Sequence, residues 1–459
     1  MKTVIYNGEV HLADRVIKNG YIVVDNGKIS KIRDLSEANL DQGELEALAK
    51  AENADQIINA TGKIVAPGSI EMHTHGFAGK EFLDTTPGTL EEILNAYPRF
   101  GVTSVSPTIV TDSKENIKRA VENLGKTDES VKVERARLVG CYLECRYFND
   151  GPTKGAHNSK ELVNDSRTYK EKYGLVNDQR TLYEIILGEI AEFNSAARTF
   201  IKVVAIDPSI DKAPEIIKTL KNKGYKIAIG HSNCTKAQAR EAIRKGATVL
   251  VHAFNCISMD KEYLGDRIKE NLDVKNALGE CLDTNGLYAE IILDFVHVNK
   301  PYDDMLMNRK GIDYTVLITD ACAAAGTQEK ECTLGGKRVL IREKNGHKAA
   351  YYEDETLCGS VLTMDQAIRN AVELGCSLNE SFRMASLNPA KALGIDNERG
   401  SISPNKFGDV VIYERGYTEN KETGLISNNT IGRTLCTLVE GNIAYSSADF
   451  QDYIERRSK

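Results

Sequence analysis

The sequence predicts an α/β chain: a (β/α)8 barrel carrying a small β-sandwich domain built from both chain ends. Three observations predict it. In the middle of the chain, eight short apolar runs alternate with amphipathic stretches, as consecutive β-α units do. Strand-and-turn patterns are confined to the two ends. Several histidines and carboxylates fall at or just past the C-terminal ends of the apolar runs. That is the face on which a closed (β/α)8, or TIM, barrel gathers its chemistry. A length of 459 residues suits one large barrel plus a small second domain.

In chain order, residues 1–66 read as short strands and turns. Val4-Ile5-Tyr6-Asn7-Gly8 and Tyr21-Ile22-Val23-Val24-Asp25-Asn26-Gly27-Lys28-Ile29 each set apolar residues against an Asn-Gly turn. Residues 35–56 are acidic and alanine-rich and read as a surface helical insertion. The barrel, residues 67–395, takes its strands from Ser69–His73, Ser104–Val110, Leu138–Glu144, Ile201–Asp207, Lys226–His231, Thr248–His252, Tyr288–Asp294 and Tyr314–Asp320. Helical periodicity separates most of them, as in Ala237–Lys245, and follows the last in Met364–Leu374. A doubly wound open sheet is the alternative, but no glycine-rich phosphate fingerprint follows the first strand. Over residues 396–459 strands return at Gly400-Ser401-Ile402-Ser403-Pro404, Phe407–Tyr413 and Thr437–Tyr445. The two ends are expected to meet in one discontinuous β domain.

Composition narrows the function classes. Hydrophobic residues make up 41% and charged residues 27%, a globular balance. A net charge of −7 argues against nucleic acid as a partner, since phosphate backbones need a basic face. It does not exclude a small anionic substrate. The N-terminus lacks the pattern of a signal peptide, and no apolar run approaches the length that spans a bilayer. A soluble cytoplasmic protein without membrane attachment is therefore expected. The 10 cysteines form no C-x-x-C pair, so free thiols are expected rather than a disulfide framework.

The candidate chemistry begins at His73-Thr74-His75. Residues i and i+2 of a strand point to one side, so both imidazoles can reach one metal ion. Taken alone the pair is as often incidental. Glu144 ends an apolar strand and suits either a metal ion or a salt bridge, and Arg146 two residues on fits the second reading. His231 can cap the following helix, and His252 can be a satisfied core histidine. They come from consecutive strands, however, and with Glu144 they match a metal-binding set. Asp320 can likewise cap a helix. Opposite a metal ion, its carboxylate can take a proton from water and hand it to a leaving amine.

With these residues in place the chain resembles the N-acetylglucosamine-6-phosphate deacetylases, a branch of the amidohydrolase superfamily. The resemblance runs from about Ala66 to Asp409. It rests on Ala66-Pro67-Gly68-Ser69-Ile70-Glu71-Met72-His73-Thr74-His75-Gly76, Leu143-Glu144, Lys154-Gly155-Ala156-His157 and Gly230-His231-Ser232-Asn233-Cys234-Thr235. It continues through His252-Ala253-Phe254-Asn255, His297-Val298, Thr319-Asp320-Ala321, Gly359-Ser360-Val361-Leu362-Thr363-Met364 and the closing Asn388-Pro389-Ala390-Lys391-Ala392-Leu393-Gly394. It implies that Glu144, His231 and His252 hold a main divalent metal, that His73 and His75 add a second, and that Asp320 is the acid/base residue. One or two ions per subunit are implied, zinc first, with iron, manganese or cobalt as alternatives. It further implies that His157 and His297 contact the substrate and polarise the amide carbonyl. Asn255 and the backbone at Cys256 would hold the sugar or its phosphate, in a homodimer whose partner subunit lends an arginine.

The pattern departs from the family in two places. After the third strand the family's Leu-Glu-Gly-Pro-Phe is Leu143-Glu144-Cys145-Arg146-Tyr147 here. The loop after Asn255 lacks the family's His-Arg-Glu-Pro-Gly stretch. Arg146, Lys261 and Arg267 are the candidates to replace its arginine. The expected activity is hydrolysis of the N-acetyl amide of an amino-sugar 6-phosphate. The alternatives are the same chemistry on another N-acyl sugar, an N-acyl amino acid or a cyclic amide, and a non-catalytic relative.

Overall fold

The computed structural model describes residues 1–127, 134–175, 177–198, 200–255, 276–344, 346–419 and 426–456. Eight parallel barrel strands follow one another in sequence order: β1 (Ser69–Thr74), β2 (Val102–Val110), β3 (Cys141–Glu144), β4 (Ile201–Ile206), β5 (Lys226–Ile229), β6 (Ala247–Leu250), β7 (Tyr288–Ile292) and β8 (Thr315–Ile318), and the two-residue stretch Arg137–Leu138 just before β3 also pairs with β2. These are the eight strands expected, with edges shifted by a few residues. Around the ring, β1 returns to β8 through backbone hydrogen bonds from Asp320 N–H to His73 O (3.0 Å) and from His75 N–H to Ala321 O (2.9 Å). Both faces of a parallel barrel strand are covered, which is why strands such as Val102–Val110 are buried along their whole length.

The outer helices follow their apolar stripes. Lys114–Thr127 buries Ile117, Ala120, Val121 and Leu124, one face at helical spacing. Ala213–Asn222 buries Ile216, Ile217 and Leu220. Each such isoleucine or leucine contributes about 1.5–3 kcal/mol by leaving water. Reciprocal caps start Leu182–Ala196 (Thr181 with Glu184) and Lys236–Lys245 (Thr235 with Gln238). Between β8 and its helix Met364–Glu373 lies an antiparallel sheet of Glu331–Leu334, Lys337–Lys344, His347–Tyr352 and Leu357–Ser360. The closing helix Asn388–Leu393 is tied to the entrance of β8 by Asn388, whose buried amide donates to Ile312 O (2.6 Å) and Thr315 O (2.7 Å).

The chain ends share one nine-stranded sheet that branches at Lys2–His11. Its antiparallel partner is Val16–Asp25, while Gln56–Asn59 and Ile64–Pro67 run parallel to its two halves. Val410–Glu419 pairs with Ile64–Pro67, which joins the C-terminal hairpin to the N-terminal strands. Ile5, Val10, Ile58, Val65, Ile412, Leu435 and Phe450 make one core from both branches.

Two local expectations are corrected here. Asn26-Gly27 is a hairpin turn with both residues at positive φ (48° and 81°), but Asn7-Gly8 is not. Asn7, at φ 62°, sits in a β-bulge inside Lys2–His11, so the same dipeptide bends a strand instead of reversing it. Gly400–Pro404 is irregular chain, and Ile402 packs into the small core from it. The 35–56 segment carries the expected surface helix, Gln42–Ala51, which is exposed along most of its length and turns one face to the sheet. Leu45 and Ala49 are buried against Val4, Tyr6, Tyr21 and Val23. Among the described residues all nine cysteines are free, and no helix is long and apolar enough to cross a membrane.

Candidate metal centre

Five strands deliver their polar residues to one point at the C-terminal mouth of the barrel. His73 lies in β1 with His75 one residue past its end, and Glu144 is the last residue of β3. His231, His252 and Asp320 each follow by two residues the ends of β5, β6 and β8. His231 and Asp320 both adopt φ 48°, a left-handed conformation uncommon for residues with a Cβ. Each thereby turns its side chain into the mouth immediately after its strand, a local strain of the kind found at functional sites. Gly359, at φ 86°, packs under Asp320, and a Cβ there would lie 2.9 Å from the Asp320 carbonyl oxygen.

Glu144 is the hub. Its Oε1 lies 2.9 Å from His231 Nε2 and 3.0 Å from His252 Nε2. Its Oε2 lies 3.2 Å from His75 Nε2 and 3.3 Å from His73 Nε2. Asp320 Oδ1 approaches His75 Nε2 at 3.1 Å and His73 Nε2 at 3.6 Å. Every one of these six side chains is buried. Two half-sites result, His73–His75–Asp320 on one side and His231–His252 on the other, with one carboxylate oxygen of Glu144 turned to each.

The far side of each imidazole decides what the near side is. His75 Nδ1 faces Thr108 O (3.3 Å), His231 Nδ1 faces Thr153 O (3.1 Å) and His252 Nδ1 faces Asn255 O (3.1 Å). Carbonyl oxygens only accept, so Nδ1 carries the hydrogen in each ring and a neutral ring presents the Nε2 lone pair inward. His73 Nδ1 lies 2.9 Å from the buried carboxylate of Glu290, with the same consequence. Four lone pairs and two carboxylates then converge on one buried space. His231 and His252 place Nε2 atoms 3.1 Å apart, and His73 Nε2 is buried without a hydrogen-bond partner. Such a space is satisfied by cations, and the mixed imidazole and carboxylate donors suit a borderline divalent metal. Ligand atoms of His73–His75–Asp320, of His73–Glu144–His252 and of Glu144–His157–His231 are each close enough to share an ion.

The titration pattern agrees with that geometry. Burial disfavours the charge of His75, but hydrogen bonds to Asp320 and Glu144 outweigh it and push the ring up to about 9. Burial would raise Asp320, yet the His75 hydrogen bond and the charge of His73 hold it down at about 2. Glu144, also opposed by burial, is held well below the usual carboxylate range by His73 and His231. His231 is lowered by burial in spite of Glu144. Without a metal ion, protons occupy one half-site while His231 stays neutral.

The remaining expected residues are less uniform. His157 is turned inward, its Nε2 3.2 Å from His231 Nε2 and its Nδ1 2.8 Å from Thr111 Oγ1. Burial and the neighbouring His231 lower it, so it is neutral. His297 is gathered to the same side of the barrel, near enough to Asp320 for that charge to act on it. Asn255 places its carbonyl oxygen against the ligand candidate His252. Cys256, with Lys261 and Arg267, lies outside the described residues. Arg146 is not available to a substrate. Its fully buried guanidinium is held by Glu189 (3.0 Å), Glu161 (3.2 Å) and the Tyr173 hydroxyl (3.0 Å).

Sequence reasoning missed the supporting carboxylates. Glu290, in the middle of β7, receives His73 Nδ1 and, at 3.2 Å, the backbone N–H of His252. It therefore touches one ligand candidate of each half-site. Glu71, two residues before His73, accepts the backbone N–H groups of His73 and Thr319 and the Thr319 hydroxyl. The signal was present, since a glutamate inside an otherwise apolar strand must be buried with a partner.

Comparison with known proteins follows the same lines. Residues 64–444 match the model of the amidohydrolase family. The chain is 31% identical over 364 residues to the N-acetylgalactosamine-6-phosphate deacetylase of Escherichia coli O157:H7, covering 77% of this chain and 84% of that protein. It is 26% identical over 439 residues to the N-acetylglucosamine-6-phosphate deacetylase of Bacillus subtilis (strain 168), covering 95% of each. Among solved structures, N-acetylglucosamine-6-phosphate deacetylase from Pasteurella multocida superposes with a TM-score of 0.76 at 25% identity, over 96% of this chain and 99% of that one.

Proposed function

The chain belongs to the amidohydrolase family, and from that premise we propose that it hydrolyses the N-acetyl amide of an amino-sugar 6-phosphate, releasing acetate and the free amine. The observation that carries this reading is the arrangement around Glu144, whose two oxygens each face two imidazoles in a buried mouth. The relatives named above as N-acetylhexosamine-6-phosphate deacetylases support the substrate class.

We assign the residues as follows. His231, His252 and Glu144 would hold one divalent ion, and His73, His75 and Asp320, beside Glu144, would hold another, with zinc the first candidate. A bound divalent ion there supplies Lewis acidity and lowers the pKa of water. Asp320, ionised at neutral pH, accepts the proton of the attacking water and returns it to the sugar nitrogen, which leaves as an amine. His157 and His297 line the acyl-oxygen side and stabilise the charge that develops on it. Asn255 would hold the sugar or its phosphate, and the contact expected at Cys256 lies outside the described residues. The protein works in the cytoplasm as a homodimer.

Arg146 is committed to Glu189, so the 6-phosphate must be met by another cation. The deciding experiment measures acetate release from N-acetylglucosamine 6-phosphate, its galacto isomer and their unphosphorylated forms, with zinc and with chelator. Turnover of a phosphosugar that chelator abolishes is expected. Failure on every phosphosugar, with turnover of other N-acyl amides, would move the substrate elsewhere.

A further inference from the structure

The antiparallel sheet inserted between β8 and its helix brings two thiols together beside the metal centre, and neither has a part in the chemistry described so far. Cys322 follows Asp320 by two residues, and Cys332 lies in Glu331–Leu334, an edge strand of the inserted sheet. The Cys332 thiol donates to the Cys322 sulfur across 3.6 Å. Among the described residues it is the only hydrogen-bonded pair of thiols. The two differ in exposure. Cys322 is fully buried in a small core with Val110, Ala324, Leu334, Val339 and Cys358, while Cys332 packs on the rim of that core and is half-buried.

The backbone holds both thiols in place. The Cys322 N–H donates to Ser360 O (2.9 Å), and its carbonyl oxygen accepts the Ala325 N–H (3.1 Å). One residue earlier, Ala321 O accepts the N–H groups of His75 (2.9 Å) and Gly76 (3.1 Å). On the other side, the Thr333 hydroxyl donates to the Glu81 carboxylate, and so does the Gly335 N–H, at 3.0 Å. Glu81 belongs to the short hairpin of Gly76–Phe77 with Lys80–Glu81, just past His75. Cys332 is thus kept within reach of Cys322 by turns that follow two of the metal-ligand candidates, His75 and Asp320. A disulfide places its sulfurs about 2.05 Å apart, so an approach of about 1.5 Å closes the bond. Cys332, in a strand paired only with Lys337–Lys344, is the side able to give that distance.

We propose that Cys322 and Cys332 are a redox-active dithiol, which a hydroperoxide closes into a disulfide that fastens the inserted sheet to the turn after Asp320. Cys332, the more exposed sulfur, meets the oxidant first. Its sulfur attacks one peroxide oxygen, the O–O bond breaks, and a sulfenic acid and one water result. The Cys322 sulfur then attacks the oxidised sulfur, the S–O bond breaks, the oxygen leaves as a second water, and the S–S bond forms. In total two thiols and one hydrogen peroxide become one disulfide and two waters. The sulfurs give up two electrons, the peroxide takes them, and both thiol protons end in water. Because the second thiol is already in place, closure outruns further oxidation of Cys332. Both thiols rest reduced where the surroundings are reducing, and a dithiol reductant reopens the bond. The proposal concerns a bond between two side chains and stands apart from the choice of substrate.

Trypsin supplies the readout. Cutting after Lys310, Lys330 and Lys337 leaves Cys322 and Cys332 as the single cysteines of two separate peptides, 311–330 and 331–337. The full chain, loaded with zinc, is treated with hydrogen peroxide, its remaining thiols are alkylated in denaturant, and the digest is read by mass spectrometry with and without reductant. The expected product is the two peptides joined, lighter than their sum by two hydrogens and separated by reductant. Two thiols are lost per chain, and the other cysteines stay open to alkylation. In Cys322→Ser the sulfenic acid has no partner, so a dimedone adduct is expected on 331–337 in place of the joined pair. The wild-type digest needs no variant and decides the matter even where Cys322→Ser does not fold. Wild-type peptides recovered apart with both thiols unoxidised overturn the proposal. So does Cys332 carried on to a sulfonic acid, or 331–337 joined to the peptide that holds Cys358.

Discussion

Replacing Glu290 by glutamine isolates the part of the centre that the sequence did not reveal. The substitution keeps the shape of a fully buried side chain and removes its charge. Two hydrogen bonds change, the one at 2.9 Å from His73 Nδ1 and the one at 3.2 Å from the His252 N–H. A hydrogen bond to a charged group contributes about 1.5–3 kcal/mol and a neutral one about 0.5–1.5 kcal/mol. Taking the His73 bond as the dominant one, the loss is about 1–2 kcal/mol, or about 5–30-fold in an equilibrium constant. That loss falls on metal affinity, because the Glu290 carboxylate makes the His73 imidazole a better donor and fixes its tautomer. The assay is competition between the protein and a zinc chelator, with circular dichroism to confirm an intact fold. Wild-type affinity within about twofold, or tighter binding, would refute the reasoning, since this estimate requires the charge to reach the ion through His73.

Other expectations follow from the same geometry. Asp320→Asn keeps the shape but cannot accept a proton, and kcat for acetate release is expected to drop by about 10²–10⁴-fold. Arg146→Met breaks a buried ion pair and leaves Glu189 uncompensated, so urea unfolding should show a loss of about 3–5 kcal/mol, with no change in the preference for phosphorylated over unphosphorylated sugar. The His75–Asp320 pair gives the metal-free protein a pH signature. His75 is raised to about 9, so its contribution is complete below about 6.5 and is lost as pH rises through 9. Asp320 is lowered to about 2, so its contribution is complete above about 4 and is lost as pH falls through 2. Thermal melts of chelated protein should therefore show this stabilisation at its fullest between about pH 4 and 6.5. Because ligation needs neutral imidazoles, the added stability on loading zinc should grow from pH 6 to pH 9.

The fold was legible because its signals are periodic. Eight apolar runs, most of them separated by helical periodicity, leave few architectures, and histidines at the ends of those runs mark the mouth of a barrel. The metal-binding candidates could be read because their residue types are rare in apolar strands. Asn7-Gly8 misled because an Asn-Gly pair supplies positive φ to a turn and to a bulge alike, and only pairing with Val16–Asp25 decides which. Glu290 was passed over because it sits beside residues with a stronger pattern, and the histidine it serves lies elsewhere. Arg146 shows the reverse error. It was one of three candidates to replace the family's missing loop arginine, whereas folding places it in a buried network with Glu189 and Tyr173.

The most direct test titrates zinc into chelator-treated protein while acetate release from the phosphosugar is followed, beside Glu144→Ala treated in the same way. The account predicts no turnover without metal, recovery in step with one or two ions bound per chain, and no recovery in the variant, which lacks the carboxylate shared by both half-sites. Full turnover by metal-free protein, or by zinc-loaded Glu144→Ala, would contradict it.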